Sequence, residues 1–237
     1  MLSRYAKSGV ESTADQRRGY GVSVTLIEVN DILSPVELRV LGTLIEKEST
    51  TPEYYPMTLN SLVAACNQKT NRWPVTDYSE GDVQSGLESL RMRGFSAIIT
   101  GGGRVSKFAQ RFTEKLNLGR RENAILCILT LRGPQTVGEI KGRTERIYAF
   151  ADLEETETVL HKMIERPEGP LVQRLAASPG MKEPRYAQTL GGPVEAAAVA
   201  HQSPSASHDR LSALESEVAL LRDEVAGLRK QLEDLLN

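Results

Sequence analysis

The chain has 237 residues, of which 40% are hydrophobic, 25% charged and 5% aromatic, and its formal net charge is −2 at neutral pH. This describes a globular protein of one or two domains and excludes both a low-complexity chain and a bulk polycation, so any nucleic-acid surface must come from local segregation of charge. No apolar run reaches bilayer length, the start (Met1-Leu2-Ser3-Arg4-Tyr5) lacks the apolar core of a secretory signal, and the two cysteines are far apart; the expectation is a cytoplasmic protein with no membrane contact and no disulfide framework.

Residues 1–30 read as an irregular polar arm with one β-like patch, Val22–Ile27. A capped helix follows: Ser34-Pro35-Val36-Glu37 supplies a cap, a proline at the first position and a glutamate at the third, and Leu38, Leu41, Leu44 and Ile45 then share a face. A second helix starts at Thr58-Leu59-x-x-Leu62. A third starts at Ser79-x-x-Asp82, carries Val83, Leu87 and Leu90, and stops at Arg93-Gly94. Next come a strand (Ala97-Ile98-Ile99-Thr100), the turn Gly101-Gly102-Gly103 and a return strand from Val105 to Phe112.

The same order recurs. A helix spans about 120–131 with Ile125, Ile128 and Leu129 on a stripe, and Asp152-x-x-Glu155 caps a later helix bearing Leu160 and Met163. Thr136-Val137-x-x-Ile140 repeats Thr58-Leu59-x-x-Leu62 at an offset of 78 residues. Arg185-Tyr186-Ala187-Gln188 repeats Lys107-Phe108-Ala109-Gln110 at the same offset. Two matches at one spacing mark an internal duplication. Three short helices and a hairpin, twice, predict an α+β chain, mainly α with small β-hairpins: two tandem winged helix-turn-helix domains at 31–116 and 117–192. Residues 193–209, rich in Ala, Ser and Pro, read as a flexible linker.

Residues 210–237 keep an unbroken heptad. Leu211, Val218, Val225 and Leu232 take positions a, and Leu214, Leu221, Leu228 and Leu235 take positions d. β-branched residues at central a with leucine at d favour a parallel dimer, and the g–e pairs Arg210–Glu215, Glu217–Arg222 and Glu224–Arg229 are all opposite in sign. The predicted partner is a second copy of the chain.

Thr50-Thr51-Pro52-Glu53-Tyr54-Tyr55-Pro56, Ala65-Cys66-Asn67-Gln68-Lys69-Thr70-Asn71-Arg72 and Lys107-Phe108-Ala109-Gln110-Arg111-Phe112, joined by Leu131-Arg132-Gly133-Pro134-Gln135-Thr136 and Arg185-Tyr186, closely resemble the YceH family of bacterial proteins. The resemblance covers about residues 31–195. It implies a pair of winged-helix domains in a cytosolic bacterial protein and leaves activity open.

The candidate binding residues lie in the first copy. Gln68, Lys69, Thr70, Asn71 and Arg72 group amides and cations in the loop before the third helix, where they suit phosphates and base edges; equally, Asn and Thr suit helix ends and turn closure. Trp73-Pro74 is expected to anchor this loop by burial. With Phe108 and Phe112 facing the core, alternation points Lys107 and Arg111 outward beside Arg104, a cationic wing for phosphate contact. The third helix argues against base reading: Glu80, Asp82 and Glu88 repel phosphates, leaving Gln84, Ser85, Arg91 and Arg93 to help. Asp152, Glu154, Glu155 and Glu157 make the second copy a packing or protein-binding unit.

Cys66 and Cys127 lack a sequence-encoded base or a CxxC partner, and His161, His201 and His208 form no ligand spacing, so neither an enzyme, a metal site nor a cofactor is expected. Two functions compete: a dimeric DNA-binding protein of the transcriptional-regulator kind, contacting double-stranded DNA through this loop and wing, or a tandem winged-helix adaptor that grips a protein partner without specific DNA recognition.

Overall fold

Ser34 opens the first helix as the residue pattern predicts. The computed structural model describes residues 32–100, 105–176 and 183–194; the arm, Gly101–Arg104, most of the linker and the heptad segment lie outside them. Helix α1 (Pro35–Thr50) begins with a closed capping box: Ser34 Oγ accepts from the Glu37 amide at 3.3 Å, and the Glu37 carboxylate accepts from the Ser34 amide at 2.7 Å. Thr58 caps α2 (Leu59–Cys66), and Ser79 with Asp82 closes a second box on α3 (Glu80–Met92). Each cap satisfies first-turn amides that have no partner within the helix.

Glu37 does more than cap. Its carboxylate also accepts from Ser89 Oγ on α3 at 2.6 Å and lies 3.4 Å from Arg93 Nε. Burial pushes this carboxyl up, but the hydrogen bonds from Ser89 and Ser34 and the charge of Arg93 outweigh it and hold the group below its ordinary value. A carboxyl depressed in the folded state stabilises above its unfolded pKa of about 4.3, and that stabilisation is lost as pH falls through the folded value. Urea midpoints measured from pH 7 to pH 3 should therefore fall more steeply for the natural chain than for E37Q, the extra loss setting in below about pH 4.3; parallel curves would refute the coupling.

Three strands complete the first half: β1 (Met57–Thr58), β2 (Ser96–Ile99) and β3 (Lys107–Gln110), antiparallel in the order β1-β3-β2. β1 pairs Met57 with Phe108, and β2 pairs Ala97 with Ala109. The expected hairpin thus has a third strand, which is too short for alternation to reveal. The return strand also ends earlier than its predicted limit at Phe112. Arg111 leaves extended geometry (φ −127°, ψ 3°), and a one-turn helix α4 (Phe112–Lys115) follows. Gln110 enforces the turn: its side-chain oxygen accepts from the Thr113 amide at 3.0 Å while its Nε2 donates to Glu48 at 2.6 Å. Phe112 is thereby fully buried, edge-on to Phe95 with ring centroids 5.0 Å apart.

The second half comprises α5 (Arg120–Arg132), α6 (Val137–Thr144), α7 (Leu153–Ile164), β4 (Val172–Leu175) and β5 (Arg185–Gln188). The 78-residue offset carries α2 onto α6 end to end and β3 onto β5. Gln135 bridges Tyr186 where Met57 pairs with Phe108, again 78 residues on. Gln188 accepts from the Gly191 amide at 2.9 Å, repeating the turn made by Gln110. One connection breaks the repeat: 67–79 joins α2 to α3, whereas the shorter 145–152 joins α6 to α7.

The larger of two hydrophobic clusters among the described residues runs across the expected boundary at residue 116. Leu41, Leu44 and Ile45 of α1 belong to the same buried cluster as Ile125, Leu126 and Leu129 of α5. Gly42 lets the two helices close, and the Leu33 amide donates to the Leu190 carbonyl at 2.8 Å, tying the first described helix to the end of the second half. No helix of the described residues is long and apolar enough to cross a membrane.

Candidate functional site

The polar loop after α2 divides into an inward and an outward part. Asn67 turns inward: its Nδ2 donates to the Tyr78 carbonyl and its Oδ1 accepts from the Tyr78 amide, both at 2.8 Å, which closes the loop across its base. Arg72 also turns inward. Its side chain is wholly buried, its Nη1 and Nη2 donate to the two oxygens of Glu46 at 3.1 and 2.6 Å, and Nε and Nη2 reach the Ala65 carbonyl. The expectation that Arg72 meets phosphate is therefore corrected: every nitrogen of its guanidinium is committed to the fold. Lys69, Thr70 and Asn71 are exposed and Gln68 is half-buried. Asn71 sits at φ 60°, a left-handed conformation that asparagine tolerates, and its Oδ1 accepts from Arg132 of α5.

Arg39, buried on α1, donates to the Pro74 carbonyl at 2.6 Å and to Thr76 Oγ1 and the Cys66 carbonyl at 2.9 Å. Burial, then the nearby Arg72 charge, push its pKa down. The Trp73 amide donates to the Leu131 carbonyl at 2.8 Å. The loop is thus fastened through its backbone, and the expected burial of Trp73 is corrected: its side chain is 51% exposed.

At the sheet, Lys107 is exposed opposite Thr58. Arg111 is exposed but lies past the strand end, bonded to Glu114 at 2.9 Å. Arg104 falls outside the described residues. Alternation does not hold through this strand, because Ala109 and Gln110 are both buried. Between α3 and the β2–β3 hairpin runs a groove of about 580 Å³, floored by Leu59, Leu87, Ile98 and Phe108 and rimmed by Glu88 and Arg91. Ile98 and Val105 are 43% and 65% exposed there. The groove starts at Thr58, the N-terminal end of α2, whereas Gln68–Arg72 follows its C-terminal end. Eight helical residues rise about 12 Å, and no residue of the loop lines the groove. Among the described residues, Lys107 thus pairs with Thr58 at the N-terminal end of α2, while Lys69, Thr70 and Asn71 follow its C-terminal end.

Sequence reading missed Asn60, Ile98 and Val105 as groove residues. Ile98 and Val105 read as ordinary strand positions, and only the hairpin's docking on α3 shows which apolar side chains stay in water.

A second cleft, of about 300 Å³, lies where the carboxyl ends of α1, α5 and α6 converge, lined by Glu46, Asn71, Arg132, Arg143 and Arg146. Cations at these ends answer the partial negative charge of the helix termini. On α7, Asp152 Oδ1 accepts from the Glu155 amide at 2.7 Å, and Glu155 takes the Ala151 amide at 2.8 Å and lies 3.1 Å from Arg121 Nε of α5, so two of the four carboxylates predicted there are structural. Both cysteines are buried and burial pushes both thiols up. Among the described residues no group of three His, Cys, Asp or Glu is placed to hold a metal ion.

Residues 33–181 match a family described as "Protein of unknown function, DUF480". A UPF0502 protein of Solibacter usitatus is 55% identical over 168 residues, covering 71% of this chain and 80% of that relative. UPF0502 proteins of Citrifermentans bemidjiense and Pelobacter propionicus are 49% identical over 170 residues and 52% over 164, covering 79% and 74% of those relatives. With well over half of its length matched at this identity, the chain belongs to the DUF480/UPF0502 family of bacterial proteins.

Proposed function

We propose that this chain is a tandem winged-helix adaptor, non-enzymatic and cytoplasmic, that holds an apolar protein segment in the groove between α3 and the β2–β3 hairpin and dimerises through its heptad segment. The observation that carries the reading is the groove itself: Ile98 and Val105 stand in water beside Leu59 and Phe108, a contiguous apolar surface of the kind that marks a protein contact. The face that would enter a DNA major groove carries exposed Glu80, Asp82 and Glu88, which oppose phosphate. Arg72 no longer counts among the available cations.

A second reading, DNA binding through the same half, draws on Lys69, Arg91, Lys107 and Arg111, all exposed. Purified chain mixed with sheared genomic DNA of its own source at near-physiological salt decides between them. The adaptor reading expects no discrete enrichment, and retention at low salt that vanishes as counterions compete. Enrichment of related sites that is lost in K107A and R91A would establish a sequence-specific DNA binder instead.

A further inference from the structure

Two buried arginines hold up a loop whose apolar side chains face solvent. Arg39 and Arg72 together make hydrogen bonds to Cys66, Pro74, Thr76, Ala65, Asn71 and Glu46. Removing two guanidiniums from water is costly, and a plain connector does not require it; the corresponding connection 145–152 contains no buried arginine. What this clamp fixes is the backbone under Trp73, Pro74 and Val75, while Trp73 and Val75 remain 51% and 49% exposed. A rigidly presented tryptophan is the side chain most suited to anchor a protein contact, because little ordering entropy remains to be lost on binding.

The same chain carries a receptor of matching character. The groove beside α3 presents Leu59, Leu87, Ile98, Val105 and Phe108 among polar side chains that include one carboxylate, Glu88, and one cation, Arg91. The tip is flanked in sequence by one exposed cation, Lys69, and one exposed carboxylate, Asp77. Tip and groove cannot meet within one molecule, since they adjoin opposite ends of α2 and both are fixed by the fold. Between two molecules related by a two-fold axis the exchange is reciprocal and closes.

We infer that the Trp73–Val75 tip of one copy seats in the α3–hairpin groove of a second copy. This rests on reading the groove as a protein-binding site and names its occupant. The dimerisation proposed for residues 210–237 would raise the effective concentration of each tip for the other groove.

The test uses the full-length chain with Ile98→Cys coupled to a benzophenone maleimide; Cys66 and Cys127 are buried and stay unlabelled. Irradiation is done with purified protein and again in an extract of the source cells, and adducts are mapped by mass spectrometry. The expected adduct joins position 98 to a peptide within 69–77 of another copy, and Trp73→Ser, a change at a half-exposed side chain, lowers its yield at least about tenfold. An adduct only with a different protein in the extract overturns the inference and leaves the adaptor reading standing. No protein adduct in either setting overturns both.

Discussion

Replacing Glu46 by alanine should lower folding stability by about 3–5 kcal/mol, the cost of leaving a buried charge without its partner. Arg72 Nη2 lies 2.6 Å from Glu46 Oε2, the guanidinium is fully shielded from solvent, and the carboxylate is nearly so. Ala65 and Asn71 carbonyls accept the remaining donors but carry no full charge. Truncation of Glu46 therefore strands a cation among α1, α2 and the loop. Urea denaturation should show the midpoint falling with an unchanged slope. The double variant Glu46→Ala with Arg72→Met, which removes both charges, should recover most of the loss, since no buried charge is then left without a partner. A change below 1 kcal/mol in E46A would mean that solvent reaches Arg72 and that the loop is less tightly held than its hydrogen bonds indicate.

Gly42→Val should cost about 3 kcal/mol or more, the upper end of overpacking. A Cβ at Gly42 would lie 2.5 Å from Thr130 Oγ1 and 3.0 Å from Cδ2 and Cγ of Leu131. Thr130 cannot readily yield, because its hydroxyl is held by the Leu126 and Cys127 carbonyls at 2.8 and 3.0 Å. Leu131 is itself buried. Relief requires α1 and α5 to separate, which opens the core shared by the two halves. Both halves should therefore weaken together. Trp73, the only tryptophan, reports the junction through its backbone bond to Leu131, and its fluorescence transition should coincide with the far-ultraviolet circular dichroism transition in both the natural chain and G42V. Two separated transitions would show that the halves unfold independently.

Local signals carried much of the architecture. Ser34, Thr58, Ser79, Thr136 and Asp152 each cap the helix that the residue pattern predicts, because a cap depends only on a side-chain oxygen and amides two or three residues away. The 78-residue repeat was legible for a related reason: Gln110 and Gln188 each close the turn three residues on, so the constraint stays inside the motif. The expectations for the heptad segment, the N-terminal arm and Arg104 lie outside the described residues.

The sequence alone, then, determined where the capped helices start, that two motifs recur 78 residues apart, and that the chain is α+β. Tertiary structure decided what faces water. Arg72 and Trp73 are neighbours, and composition places the cation outside and the tryptophan inside; the fold does the reverse. The Glu46 carboxylate and the Ala65 carbonyl, 26 and 7 residues away, compensate the guanidinium, while Arg39 and Leu131 fix the loop backbone with the indole on the far side. Whether the two repeats share a core was equally hidden, because it depends on Gly42 meeting Thr130 across 88 residues. Exposure is a property of distant partners, and no window of sequence contains them.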